Sequence, residues 1–358
     1  MIEQNLKYYL DKNVKNTLNN YDGSKGYIFV QPWPGGFNNI RMSIEIAICM
    51  CYLTNRTIIF PPKQKMYLLD DECTVDELFE TSEILIKHLT FDQFVELNPE
   101  INSLEELKKH STFIDRKFER DCFVDTGCEL DNKFIRNRNV VRLEEIIDNS
   151  KIIYFYKNLL GNFYTTILTN RQEELLYLIY KSVVLKKEVF DYTLKALNNI
   201  PNKTFYSTHV RRGDYQYKDL CIGGQELNKN IMEFIPAGSS LYISTDHNVE
   251  DSLFDDLKNT YNCIFFKDIK KFIGEVPSNW IPLIEMLMCS RGVSFVGMEL
   301  STFSSYIYRL RGYMDDIQDR RFLLNTEKYD QRFQSNFKEN AYFRGGWSRE
   351  YPDVWKFL

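Results

Sequence analysis

The stretch GYIFVQPWPGGFNNIRMSIEIAICMCYLTNRTIIFPP, Gly26 to Pro62, constrains the fold more than any other part of the chain. Tyr27–Val30 is a short apolar β run, and Pro32, Pro34, Gly35 and Gly36 force a loop after it. From Ile40 to Leu53 the residues Ile44, Ala47, Ile48 and Cys51 fall at helical spacing. Thr57–Phe60 is a second β run, stopped by Pro61 and Pro62. A strand, a glycine loop, a helix and a strand make a βαβ unit, and such a unit requires a parallel sheet.

A second β/α series begins near residue 204. Thr204–Val210, Leu241–Thr245, Cys263–Phe266 and Val293–Val296 read as strands. DHNVEDSLFDDLKNTY, IPLIEMLMCSRG and Thr302–Arg311 read as helices, and Pro282 sits in a first turn, where its missing N–H is tolerated. Between the two series, residues 70–150 are acidic and less regular. There TVDELFE and SLEELKKH read as short helices within insertions, and Asn170–Ile200 as two longer helices. A chain of 358 residues is too long for one ordinary core and suits two domains of roughly 150–200 residues each. We expect an α/β protein with an N-terminal Rossmann-like domain, 1–200, carrying helical insertions. A second such domain, 201–325, follows, and a tail, 326–358, packs back on them. Phe343, Trp347 and Trp355 in the tail could stack on a ligand ring, but we read them as packing residues.

The formal net charge of −5 leaves no broad basic face for nucleic acid, although a local basic pocket for one small anion stays possible. No apolar run reaches the roughly 20 residues of a membrane span. The polar start MIEQNLKYYLDKNVKNTLNN lacks the apolar segment of a secretion signal, and we read Met1 as the natural start. The eight cysteines show neither a zinc spacing nor a disulfide framework; Cys49, Cys51, Cys263 and Cys289 lie in apolar runs, as buried thiols do. A reducing, cytoplasmic location is expected, and the triplets Asn55-Arg56-Thr57 and Asn202-Lys203-Thr204 point the other way.

Ligands of parallel sheets bind outside the carboxyl ends of the strands. His209, Arg211 and Asp246 all fall at such ends. In STHVRRGDY, Ser207–Tyr215, a β run closes on a histidine, two arginines and an acid. A guanidinium is permanently charged and matches two phosphate oxygens, so Arg211 and Arg212 suit an anion. An arginine paired with Asp214 inside a turn would leave the same sequence. In Glu299–Arg309, Ser301, Thr302, Ser304 and Ser305 stand at a helix start, whose free N–H groups favour phosphate. An ordinary N-cap needs only one of these hydroxyls. Gly35 and Gly36 let a backbone approach a ligand, and Asn38 and Asn39 offer amide hydrogen bonds. Neither G-x-G-x-x-G nor a Walker A sequence is present, so no dinucleotide cofactor is indicated.

These pieces together resemble a known family. The Gly35–Pro61 segment, HVRRGD, LYISTD and FVGMELSTFSSYIYRLRG are similar, in order, to the three peptide motifs of the fucosyltransferase superfamily. GGFNN followed by LTNRTIIFPP is most similar to its protein O-fucosyltransferase and plant O-fucosyltransferase-like branch. The likeness covers most of residues 26–312. It implies a GT-B fold, with two Rossmann-like domains facing a cleft. It also implies an inverting, metal-independent glycosyltransferase that uses GDP-fucose as donor substrate, needs no cofactor, and delivers L-fucose to a hydroxyl of a protein or glycan. No two aspartates of the chain are two positions apart, so the Asp-x-Asp pair that holds a divalent ion in many nucleotide-sugar enzymes is missing. Arginine and helix N–H groups would then receive the departing diphosphate.

Carried over residue by residue, the resemblance implies that Arg211 clamps the β-phosphate and that Ser301, Thr302, Phe303 and Ser304 line the diphosphate. Gly36, Phe37, Asn38 and Asn39 of the first loop, with Arg212 and Asp246, complete the donor side. His209 and Glu285 would hold the nucleoside, Glu285 standing where relatives often carry Asp. One carboxylate accepts guanine N1–H and N2–H₂ together, a pair uracil does not offer. A solvent-facing helix glutamate would read the same in sequence. The catalytic base is drawn from two acids: Asp219, placed like an acid of α1,6-acting relatives, and Asp214, which better suits orienting the arginines. The first-loop Glu of some relatives is replaced here by Gly35 or Gly36, and the Gln that usually follows Asn39 is Ile40. Two alternatives stand beside this reading: a transferase using another nucleotide-deoxysugar such as UDP-rhamnose, and a catalytically inactive nucleotide-sugar-binding protein.

Overall fold

Thr57–Phe60, TIIF, is buried at all four positions, as a parallel strand covered on both faces must be. The computed structural model describes residues 18, 20–32, 35–66, 69, 71–115, 123–124, 140–141, 150–159, 161, 163, 167, 169–298, 300–315 and 322–323. The expected tail, with Phe343, Trp347 and Trp355, lies outside them. Two units divide the chain, one within Lys12–Lys186 and one within Lys187–Trp355.

In the first unit the main sheet is built of β1 (Tyr27–Pro32), β2 (Thr57–Phe60), β3 (His88–Thr90), β4 (Thr112–Ile114) and β5 (Ile152–Asn158), and two short antiparallel pairs, Gln64–Lys65 with Glu72–Cys73 and Phe123–Val124 with Val140–Val141, stand apart from it. The main sheet has the order β3-β2-β1-β5-β4, every pairing parallel. Helix α1 (Phe37–Thr54) connects β1 to β2. Short helices α2 (Phe91–Leu97) and α3 (Leu104–Lys109) follow β3, and α4 (Gln172–Ser182) closes the unit. One face of the sheet packs Phe29, Ile59 and Tyr154 on Phe91, Phe94 and Leu107.

Helix α1 starts before the expected Ile40 because Gly36 holds an extended backbone, φ −65° and ψ 173°, directly ahead of it. It ends where Asn55 turns left-handed, at φ 56°, and returns its N–H to Cys51 and Tyr52. Burial extends well beyond the expected stripe, and Arg41 and Glu45 are enclosed with the apolar residues. These two form an ion pair at 2.8 Å with 0% and 1% side-chain exposure.

Two strands of the sheet, β3 and β4, lie in the segment expected to be insertions, and a third, β5, follows directly after it. Ile152–Asn158 runs beside β1, in register from Tyr27–Ile152 to Val30–Phe155. Its β-branched and aromatic run, IIYFY, is the signal that marks it. Thr74–Glu80, expected as a helix, is a turn followed by an antiparallel bridge from Phe79 to Leu185. The ring of Phe79 stacks on Phe37 at 5.3 Å, and that tertiary contact outweighs a weak helical pattern. SLEELKKH does contain a helix, α3, capped by the Ser103 hydroxyl.

In the second unit α5 (Lys187–Asn198) precedes β6 (Tyr206–Val210), α6 (Gly224–Met232), β7 (Ser240–Thr245), α7 (Asp255–Thr260), β8 (Asn262–Phe265) and α8 (Phe266–Ile273). α9 (Ile281–Ser290), β9 (Phe295–Met298), α10 (Thr302–Asp315) and β10 (Phe322–Leu323) complete it. The sheet order is β8-β7-β6-β9-β10, again all parallel. Periodicity leaves Lys187–Asn198 with the first domain, but the helix packs on α8 and α9 and so belongs to the second unit. The helix expected over DHNVEDSLFDDLKNTY is shorter, because Asp251 takes the N–H of Leu253 at 2.8 Å and starts a 3₁₀ turn first. The last expected strand begins two residues later, at Phe295, and α6 and α8 are additional to the expected helices.

Arg311, 1% exposed, donates to the carbonyls of Ser290 and Gly292 and so caps α9 from within α10. Cys49, Cys51, Cys73 and Cys289 are buried, while Cys263 and Cys221 are half-buried. No helix among the described residues is long and apolar enough to cross a membrane.

Removing the Glu45 carboxylate takes the opposite charge away from the enclosed Arg41 guanidinium. Glu45→Ala should lower unfolding stability by roughly 3–5 kcal/mol, measured by urea titration.

Candidate active site

β6 and β9 lie side by side in the second sheet, with Ser207 opposite Phe295 and Thr208 opposite Val296. The chain leaves β6 toward β7 and β8 on one side and returns to β9 on the other. Strand order reverses at this pair, and the loops after β6 and β9 open at the carboxyl ends, where α/β sheets bind ligands. Alternation sorts the side chains by face. Val210, Leu241 and Ile243 pack with Phe254 and Leu257. Ser207 and Tyr242 point the other way, Ser207 Oγ donating to the Cys289 carbonyl at 2.7 Å and Tyr242 OH to Glu285 Oε1 at 3.2 Å.

His209 follows Ser207 on that face and is 5% exposed. Its Nδ1 is 2.8 Å from Ser304 Oγ, and its ring lies against Phe303 with centroids 4.5 Å apart. Burial, aided by the neighbouring Arg211 charge, pushes its pKa down to about 3, so the imidazole is neutral. Ser304 Oγ also accepts the Met298 N–H at 2.9 Å. The helix start comes this close because residue 297 is glycine; a Cβ there would stand 2.8 Å from Ser304 Cβ. Ser301 Oγ accepts the Ser304 N–H at 3.4 Å, the N-cap bond of α10. Ser301, Thr302 and Ser304 are buried, and Phe303 is half-buried.

Arg211 is the cation of the site. Its Nε and Nη2 both donate to Asp214 Oδ1, at 3.2 and 2.5 Å, and Asp246 Oδ2 stands 3.8 Å from Nε. Nη1 makes no hydrogen bond to the described residues, and the side chain is 24% exposed. Arg212, expected on the donor, turns its guanidinium to the carbonyls of Arg211 (3.1 Å) and Ile222 (2.6 Å) and holds the loop after β6. Asp246 Oδ1 accepts the Arg212 N–H at 2.7 Å, tying the loop after β7 to the loop after β6.

Glu285 is half-buried on α9 against the same face of the sheet. Burial pushes its carboxyl up to about 8; hydrogen bonds from Tyr242 and Ser244 pull it back, and the Asp246 charge adds a smaller push. Tyr242 and Ser244 were not singled out in the sequence. The two-residue period of LYIST would have found them, since it puts both on the face that carries His209's register partner.

His209, Arg211, Arg212, Asp246, Glu285 and Ser301–Ser304 thus gather at one end of the second sheet. Asp219 lies in a 3₁₀ turn, Lys218–Leu220, with its side chain outside the described residues. Gly36, Phe37, Asn38 and Asn39 belong to the first unit and form the start of α1 after β1. There Phe37 is buried on Phe79, Asn38 Oδ1 accepts from Arg41 Nε at 3.1 Å, and Asn39 is half-exposed. A Cβ at Gly35 would meet Asn39 Nδ2 at 2.2 Å, so the turn requires glycine. Among the described residues no group of three or more His, Cys, Asp or Glu is placed to hold a metal ion.

Two Rossmann-type units, one with a guanidinium and a hydroxyl-rich helix start at its switch point, have the make-up of a GT-B glycosyltransferase. The family model for GDP-fucose protein O-fucosyltransferase matches residues 27–314, and the chain belongs to this family. The crystal structure of POFUT1 in complex with GDP has a similar fold, with TM-score 0.55, 14% identity, and coverage of 85% of this chain and 99% of that one. POFUT1 in complex with GDP-fucose aligns with TM-score 0.55 at 12% identity, over 84% of this chain and 98% of that one. The fucosyltransferase NodZ from Bradyrhizobium aligns with TM-score 0.47 at 15% identity, over 80% and 93%. No curated protein matches the chain in sequence.

The raised carboxyl of Glu285 has a consequence for stability. The folded form keeps a proton up to about pH 8 that the unfolded chain releases near 4.5. Its contribution is therefore complete below pH 4.5 and is lost as pH rises to about 8, with a slope of at most about 1.4 kcal/mol per pH unit. Glu285→Gln should flatten the pH dependence of the denaturation midpoint within that window and leave it unchanged outside.

Proposed function

We propose that this glycosyltransferase moves L-fucose from GDP-fucose to a hydroxyl of a protein or glycan acceptor, with inversion and without a metal ion. The observation that carries the reading is Arg211. Asp214 holds it through Nε and Nη2, and a quarter of the side chain is exposed, at the strand end beside the α10 start. The POFUT1 structures of similar fold hold GDP and GDP-fucose, which supports the choice of donor.

In an inverting transfer the acceptor oxygen attacks the anomeric carbon from the side opposite GDP. The bond from that carbon to the β-phosphate oxygen breaks, and its electron pair becomes charge on the phosphate. A fixed guanidinium and backbone N–H groups stabilise that charge as it forms, with no reorganisation during the reaction. Asp214 already accepts two N–H bonds from Arg211, so it suits positioning better than proton abstraction. Asp219 is then the base that takes the acceptor proton. Glu285 accepts guanine N1–H and N2–H₂ once it gives up its proton, so GDP binds more tightly as pH approaches 8.

Arg211→Ala should raise the barrier by about 3 kcal/mol, a loss of more than a hundredfold in kcat/KM with GDP-fucose. Near-normal turnover would remove Arg211 from the reaction. Asp219→Asn should keep GDP affinity and lose roughly a hundredfold or more in turnover. In a thermal-shift panel GDP should stabilise the protein, and UDP and ADP should not; stabilisation by UDP alone would point to another nucleotide-deoxysugar. Incubation with GDP-fucose and mixed glycan and peptide acceptors, read by mass, should show a deoxyhexose increment. GDP binding without any increment would favour a nucleotide-sugar-binding protein that has lost catalysis.

A further inference from the structure

The hydroxyl of Ser304 stands at the junction of β6, β9 and α10. A serine hydroxyl has one hydrogen to donate and two lone pairs to accept with. One lone pair takes the Met298 N–H at 2.9 Å. The remaining contact of the oxygen is His209 Nδ1, at 2.8 Å, while the Ser304 N–H goes to Ser301 Oγ. Ser304 is 0% exposed, and among the described residues its oxygen has no further partner.

Two arrangements are open to this pair. If Nδ1 carried the hydrogen, the Ser304 oxygen would accept twice and its own hydrogen would be buried with no acceptor. An orphaned buried donor costs its full desolvation penalty. If Ser304 O–H donates to Nδ1, both the hydroxyl hydrogen and the Nδ1 lone pair are satisfied. The single imidazole hydrogen is then on Nε2, and Nε2 makes no hydrogen bond to the described residues.

We propose that Ser304 is a positioning residue that fixes the tautomer of His209 and so presents Nε2–H as a donor to an acceptor atom of the bound nucleotide. The nucleotide part rests on reading this strand end as the GDP-fucose site. Ser304 then acts through His209 and does not touch the diphosphate, unlike Ser301 and Thr302. His209 is a donor throughout and no base, because its one lone pair is already engaged by Ser304.

The tautomer is tested on the full chain without ligand. Long-range ¹H–¹⁵N correlation spectra of protein labelled at histidine distinguish the two neutral tautomers, and His209→Gln assigns the signal by its disappearance. The expected result is a fixed Nε2–H tautomer across the neutral pH range, changing to a mixture or to Nδ1–H in Ser304→Ala. A wild-type signal from Nδ1–H would overturn the proposal, and this measurement needs no variant of Ser304 that folds.

The role in binding is tested by calorimetry with GDP. Ser304→Ala should weaken GDP about tenfold. The same change made on top of His209→Ala should add nothing, since Ser304 acts only through the imidazole. An undiminished effect in the absence of the imidazole would mean that Ser304 contacts the nucleotide itself, and would overturn its positioning role. Wild-type protein that shows the Nε2–H signal but binds no GDP would overturn the nucleotide assignment and leave the tautomer assignment in place.

Discussion

Everything at the candidate site depends on the pairing of β6 with β9. Thr208 lies opposite Val296, so the two strands end level, and the loops that leave them begin side by side. A slip of one residue would turn His209 and Ser207 to the opposite face, toward Val210's neighbours. The histidine would then enter the apolar layer of Phe254 and Leu257 and lose Ser304. Gly297 sets the distance between strand and helix, and the Met298 N–H and Ser304 Oγ close the gap. The register of two short strands thereby decides which groups share one space.

The charges around that space are arranged in compensation. Arg211 keeps its charge between two carboxylates, and Asp246 also ties down the loop backbone at Arg212. His209 is held neutral by burial beside that cation, and Glu285 is held protonated by burial on the adjacent helix. Arg211 is thus the permanent cation of the site. A diphosphate arriving there would meet a guanidinium already oriented, which reduces the conformational entropy lost on binding.

Much of the fold was legible because buried parallel strands and their helices leave strong local patterns. Gly26–Pro62 read correctly as strand, loop, helix and strand, and the second series placed its four expected strands within two residues. The errors share a cause. Phe79 looks helical in sequence but follows its stack on Phe37, and Ile152–Asn158 stands directly after an acidic stretch that reads as insertions. Lys187–Asn198 has a clear helical period, yet period alone says nothing about which core a helix joins.

The sequence by itself determined which groups of the site would stand at strand ends and the start of α10, because alternation and helix-start chemistry are local. It marked Arg211, His209, Asp246 and the serine-rich turn by type and position. Only tertiary structure decided their division of labour. Arg212 was spent on the Ile222 carbonyl and Ser304 on His209, since these choices depend on atoms 10 and 95 residues apart brought within 3 Å of each other. Burial, also non-local, set the protonation of His209 and Glu285, because the cost of charge depends on everything packed around a group and not on its neighbours in the chain.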